Sequence, residues 1–148
     1  MVNLEKYEKI AVLRGGISDE KKISVMTANQ VFKILKNKYQ VTLIDVGSDC
    51  KKLIDDLLKI KPSKIFNCLH GSFGEDGQIQ SILNYLKIPY THSGVLASSI
   101  AMNKIVSKVF FKSFGVRCPT HETISQKENN FLFPAIIKPI CGGSSNDL

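Results

Sequence analysis

The chain has 148 residues, 43 % hydrophobic and 22 % charged, a balance that excludes intrinsic disorder, collagen and coiled coil and suits a globular protein of about one domain. Its formal charge of +7 is carried by dispersed lysines: only Arg14 and Arg117 among the 20 basic residues are arginine. Base-edge readout favours arginine forks and single-sign helix faces usually serve solvation, so no nucleic-acid partner is expected.

The first apolar run, Ile10 to Leu13, ends at Gly15-Gly16, and Ile23, Met26, Thr27, Val31, Ile34 and Leu35 then recur at helical spacing. This predicts strand, glycine turn and helix, with Ser18 or Asp19 as the cap. A second strand is expected at Tyr39 to Val46. Asp49 then caps a helix whose inner face is Leu53, Ile54, Leu57 and Leu58, and Pro62 closes it before a third strand, Lys64 to Leu69. After His70-Gly71 and a glycine-rich loop comes a helix with Ile79, Ile82, Leu83 and Leu86 on one face, then a short extended piece, Ile88 to Thr91. One helix is expected over about Ser98 to Phe114, bearing Ile105, Val109, Phe110 and Phe114 and ended by Gly115.

Regular alternation of strand and helix predicts an α/β fold with an open, mostly parallel sheet and flanking helices. Beyond Gly115 the pattern changes: Thr120 to Ile124 and Pro134 to Ile140 read as strands of a hairpin about a polar turn at Gln126 to Asn130. We therefore place a boundary near residue 100, with an α/β domain over 1–100 and the start of a second domain over 101–148. With about 48 residues and no helix after its strands, that second unit is expected to be incomplete, because cores below roughly 40 to 60 residues are marginal.

Cys50, Cys68, Cys118 and Cys141 contain no C-x-x-C pair and stand mainly among apolar neighbours. Reduced core thiols are expected, with no metal site and no redox chemistry. The N-terminus carries charges where a secretory signal would be apolar, and no apolar run approaches the roughly 20 residues of a bilayer span. A cytoplasmic protein without a membrane segment is expected.

In a doubly wound sheet, ligands lie at the carboxyl ends of the strands where strand order reverses, between strands one and three of a 2-1-3-4 order. Strand one delivers Arg14-Gly15-Gly16-Ile17-Ser18-Asp19-Glu20 to that point, and strand three delivers His70-Gly71-Ser72-Phe73-Gly74-Glu75-Asp76-Gly77. The first loop lacks the spacing of either common phosphate loop, and Asp19 and Glu20 at a helix start would repel an anion. They suit an ammonium group; the alternative for Glu20 is an acid that stabilises its own helix. His70 is placed to orient a carboxylate or phosphate, or to serve as a structural hydrogen-bonding group. Gly71, Gly74 and Gly77 would permit a positive-φ loop with amides turned into the cleft, or form a plain turn. His92 and His121 read as ordinary polar residues.

A third candidate is Lys138, embedded in an apolar run and followed by Cys141-Gly142-Gly143-Ser144-Ser145. A buried lysine needs a counter-charge, for which a phosphate would serve, and the glycine-serine turn offers amides and hydroxyls to an anion. Lys104 is a weaker candidate of the same kind.

The segments Val12 to Glu20 with Ile23-Ser24, Leu69 to Gln80, Pro89-Tyr90-Thr91-His92-Ser93-Gly94-Val95, Ala101-Met102-Asn103-Lys104 and Ile137-Lys138-Pro139 resemble, in order, the N-terminal signatures of bacterial D-alanine:D-alanine ligases. The likeness extends to Ser145, and its most specific part is the loop H-G-x-x-G-E-D-G. The resemblance implies an ATP-grasp enzyme that phosphorylates the carboxylate of one D-alanine and lets the amine of a second attack the acyl phosphate, giving the dipeptide of peptidoglycan and so of cell wall and cell shape. It implies that Glu20 holds the ammonium of the first D-alanine and that His70 lies beside it. Lys104 and Lys138 would contact ATP phosphates, and Ser144 and Ser145 would belong to the loop over the reacting groups.

Where the family typically continues Val-Gly, this sequence reads Asn146-Asp147 and stops at Leu148. The expectation is therefore a truncated N-terminal portion with the magnesium ligands and most of the ATP site elsewhere, not competent by itself. It would work beside a complementary ligase chain, as a homodimer, or as a stand-alone module that binds a small amino acid.

Overall fold

The computed structural model describes residues 8–124 and 133–142. Strand β1 (Lys9–Gly15) leads to helix α1 (Lys21–Leu35), β2 (Gln40–Val46), α2 (Cys50–Ile60) and β3 (Lys64–Asn67). Helices α3 (Gln78–Tyr85), α4 (Val95–Met102) and α5 (Lys104–Ser113) follow. The strands form one parallel sheet of order β2-β1-β3, with Leu13 opposite Ile44 on one side and Asn67 on the other. The segment after α3 adds to the free edge of β3: Ile65 N–H donates to Pro89 C=O at 2.8 Å and Thr91 N–H to Ile65 C=O at 3.0 Å. The expected α/β architecture is present.

β1 is central because it is apolar on both faces, as a strand covered on both sides must be. Ile10 and Val12 face one core with Ala28 of α1 and Cys68, while Ala11 and Leu13 face the other with Leu53 and Leu57 of α2 and Ile79 and Leu83 of α3. Each such leucine or isoleucine, fully withdrawn from water, contributes about 1.5 to 3 kcal/mol. α2 is started as expected, by the Asp49 carboxylate accepting from Lys52 N–H at 2.9 Å, and ends on Lys61 in the left-handed region just before Pro62. α5 is closed by Gly115 at φ 74, whose N–H donates to Lys112 C=O while Val116 N–H donates to Phe111 C=O.

Several expectations are corrected. The inner face of α1 is Ser24, Ala28, Val31 and Leu35, not the larger apolar set: Ile23, Met26 and Ile34 are exposed. The helix packs too closely on β1 for large side chains, and Ser24 Oγ accepts from Gly15 N–H at 2.9 Å. Neither Ser18 nor Asp19 caps α1; its N-cap is Glu20, with no side-chain cap bond. On α2, Leu58 is exposed, and Ile60 packs on the core instead.

The single helix over 98–114 is two helices, broken at Asn103, whose backbone is extended and whose Oδ1 accepts from Ile105 and Val106 N–H. No glycine or proline marks this break; the asparagine side chain makes it by competing for backbone donors.

Among the described residues, the expected hairpin strands are absent. Residues 120–124 and 133–140 belong to no strand, and all of them are exposed. A strand-like composition needs a partner edge and a covering layer. The proposed turn at Gln126 to Asn130 lies outside the described residues. The free thiols are not uniformly core either: Cys68 is buried, but Cys50 and Cys141 are exposed. Among the described residues, no helix is long and apolar enough to cross a membrane.

Candidate functional site

The carboxyl ends of β1 and β3 meet at the reversal of strand order, and two loops cross there. Gly15 and Gly16 both take positive φ, and a Cβ on Gly15 would stand 3.0 Å from Val46 C=O, so the turn needs glycine. The chain then reaches Ser18, whose Oγ donates to His70 C=O at 2.7 Å and ties the two loops together. Beneath, Arg14 holds Asp45 through Nε at 2.8 Å and Nη2 at 3.1 Å, and the guanidinium keeps that carboxyl below its ordinary range.

The loop after β3 is closed by its own acids. Glu75 Oε2 accepts from Gly71 N–H at 2.6 Å, and Asp76 accepts from Phe73 N–H at 2.9 Å and Gln78 N–H at 3.1 Å. Burial works to raise the Asp76 carboxyl, but these donors together outweigh it and hold the group below its usual value. Of the two readings of this loop, the self-contained turn is the one seen: the Gly71 and Phe73 amides are taken by Glu75 and Asp76, as is that of Gln78 at the start of α3. Gly71 and Gly77 have positive φ, whereas Gly74 is glycine because a Cβ there would lie 2.5 Å from Leu69 Cβ.

Together the loops assemble Glu20, His70 and Glu75. Glu20 is only 6 % exposed, and one ligand atom from each of the three lies within 4.8 Å of the others. His70 Nδ1 stands 3.9 Å from Glu75 Oε1, and its Nε2 is buried without a hydrogen-bond partner among the described residues. Glu75 also borders an open cleft of about 320 Å³ that reaches His92 and Ser98. Two carboxylates this close in partly buried surroundings repel one another, and a cation between them relieves the repulsion. Such a cation could be a small ammonium, a protonated imidazole or a metal ion.

Lys104 and Lys138 belong to a different part of the chain. Lys104 opens α5; its N–H donates to Ile140 C=O at 3.0 Å and its Nζ to Gly142 C=O at 2.7 Å, which holds the 140–142 segment against the helix. Lys138 is exposed and in no strand, so it is not the buried lysine expected: among the described residues, no layer covers the run around it. Ser144 and Ser145 lie outside the described residues.

Sequence reasoning gave no separate role to Glu75, Asn67 or Gln80 and read His92 as an ordinary polar residue, whereas it bonds to the buried Asn67. The signal for Asn67 was a lone polar residue in the apolar run Ile65 to Leu69. His121 is exposed, in keeping with an ordinary polar residue.

No family model matches the chain. Among curated relatives, the D-alanine--D-alanine ligase of Pelagibacter ubique is 46 % identical over 93 % of this chain and 48 % of its own length. D-alanine--D-alanine ligase B of Mesorhizobium japonicum is 45 % identical over 95 % of this chain and 46 % of its own length. Among solved structures, the Bacillus anthracis D-alanine--D-alanine ligase superposes with a TM-score of 0.80 at 35 % identity, over 93 % of this chain and 47 % of that one. The same enzyme complexed with ATP gives 0.74 at 35 % identity, over 84 % and 41 %. The chain thus spans about half the length of the curated relatives it matches. By sequence and by fold, it is a relative of the D-alanine--D-alanine ligases, corresponding to the N-terminal part of those enzymes.

Proposed function

We propose that this chain is the portion of a D-alanine--D-alanine ligase that receives the first D-alanine, with Glu20 pairing with its ammonium group and His70 beside it. The observation that carries this reading is the burial of Glu20 within 4.8 Å of both His70 and Glu75, at the strand ends. Carboxylates so placed favour a compact cation over an anion, and acids at a helix start repel phosphate. In the proposed reaction, ATP supplies a phosphoryl group to the carboxylate of the first D-alanine. The amine of a second D-alanine then forms the peptide bond as phosphate leaves.

Lys104 and Lys138, with Ser145, are proposed to face the ATP phosphates, and Ser144 to lie over the reacting groups. Lys104 suits this role because its ammonium is already anchored at Gly142, where the glycine-serine stretch begins. Magnesium is proposed to take its ligands from outside this portion. On the same reading the product serves peptidoglycan synthesis in the cytoplasm, the boundary near residue 100 separates the D-alanine unit from the ATP-binding unit, and the working species includes further ligase polypeptide or a second copy.

Calorimetric titration of the protein with D-alanine and with D-lactate, which lacks the ammonium, tests the central claim. D-alanine should bind and D-lactate should not, and Glu20→Gln should weaken D-alanine by about 10- to 150-fold, the worth of one charged hydrogen bond. Equal binding of the two ligands, or indifference to Glu20→Gln, would overturn it.

A further inference from the structure

Asn67 ends β3 and is 3 % exposed in an otherwise apolar run. Its side chain is fully engaged. Oδ1 accepts from Leu69 N–H at 3.0 Å, and Nδ2 lies 3.0 Å from both Gly74 C=O and His92 Nδ1. Only one orientation of the amide works, because the flipped form would set Oδ1 against the Gly74 carbonyl and the NH₂ against the Leu69 N–H. Nδ2 is therefore the donor to both partners. His92 Nδ1 must accept, and a neutral His92 carries its proton on Nε2.

His92 itself has φ 118, a conformation that side chains rarely adopt and that persists only where the surroundings impose it. The other end of the link is the Gly74 carbonyl, which also accepts from the buried Gln80 Nε2 at 2.9 Å. The next residue is Glu75, whose carboxylate stands between Gly71 N–H and His70.

We propose that Asn67 and His92 are a positioning pair: His92 accepts the second amide proton of Asn67 and so holds in place the side chain that pins Gly74, and Gly74 sets Glu75 against His70 and Glu20. The proposal rests on the reading of that cluster as the D-alanine ammonium pocket. A loop packed only for stability would need no strained histidine at 92, since glycine would take φ 118 at less cost. The imidazole supplies the acceptor that glycine lacks.

The contrast between His92→Gly and His92→Asn tests this. Glycine removes both the strain and the acceptor. Asparagine tolerates positive φ and places Oδ1 near the position of the imidazole Nδ1. His92→Gly should melt at or above the wild-type temperature, bind D-alanine about 3- to 10-fold more weakly, and shift the His70 imidazole resonances of the ligand-free protein. His92→Asn should restore affinity to within about twofold and return the His70 resonances. Asn67→Leu, which keeps the bulk without the amide, should reproduce the His70 shift of His92→Gly. Unchanged His70 resonances and affinity in His92→Gly would overturn the proposal. So would parallel loss of melting temperature and affinity that His92→Asn does not reverse. If the wild type binds no D-alanine, the functional reading fails, and the ligand-free His70 resonances still decide for or against the positioning pair.

Discussion

Substituting Gly74 by alanine should destabilise the protein by about 3 to 5 kcal/mol, although the change adds a single methyl group. The added Cβ would lie 2.5 Å from Leu69 Cβ, 2.8 Å from the Leu69 carbonyl carbon and 3.0 Å from its oxygen. Two of those three atoms are backbone, and Leu69 is 1 % exposed in the core, so no flexible side-chain end can yield. Overpacking of this kind costs about 1 to 3 kcal/mol. Moving Gly74 to relieve the clash also loosens the bonds its carbonyl accepts from Asn67 and Gln80, both buried, at about 1 kcal/mol each. Urea unfolding followed by circular dichroism, with the slope unchanged, should report the loss, equivalent to about 5 to 15 °C in melting temperature. Gly47→Ala is the control, since nothing lies within 4 Å of its would-be Cβ. If Gly74→Ala matched the wild type to within about 0.5 kcal/mol, the close approach of the loop to Leu69 would be refuted.

Asp49→Ala, which removes the bond from Lys52 N–H that starts α2, should cost about 1 kcal/mol by urea unfolding, and a neutral result would remove its capping role. Burial pushes the Cys68 thiol up to about 11, while Cys50 and Cys141 are exposed, so mass spectrometry after brief maleimide treatment at neutral pH should find Cys68 labelled about 100-fold more slowly. Equal labelling of the three would contradict the burial of Cys68 against Ile10, Val12 and Ala28. The Asp76 carboxyl is held below its unfolded value, so its stabilising contribution is complete above the ordinary carboxylate range and lost as pH falls through the lower folded value. The gap in melting temperature between wild type and Asp76→Asn should accordingly shrink from about pH 5 downward, and a gap constant with pH would deny the charge its role.

Strand and helix alternation, the central apolar β1, the Asp49 cap, the Gly115 ending and the meeting of the two loops after β1 and β3 are local or topological features, and all were legible in the chain itself. Residues Ile10 to Leu13 are apolar on both faces, and that alone makes them a covered strand. Other features depended on neighbours that sequence does not name. Ser24 and Ala28, not Ile23 and Met26, face inward because of how closely α1 approaches Gly15. Asn103 breaks a helix that periodicity carries through, because its side chain takes two backbone donors. Among the described residues, the apolar run 133–140 forms no strand, because no strand edge pairs with it and no layer covers it. At the site, Glu20 and His70 could be picked out singly from residue type and position. Their meeting with Glu75, and the support of Gly74 by Asn67, Gln80 and His92, join parts of the chain brought close only by the turn after β3 and the return of residues 90–92 to its edge. Hydrogen bonds between such segments leave no periodic trace in a sequence, because they depend on where two separate turns place a side chain in space.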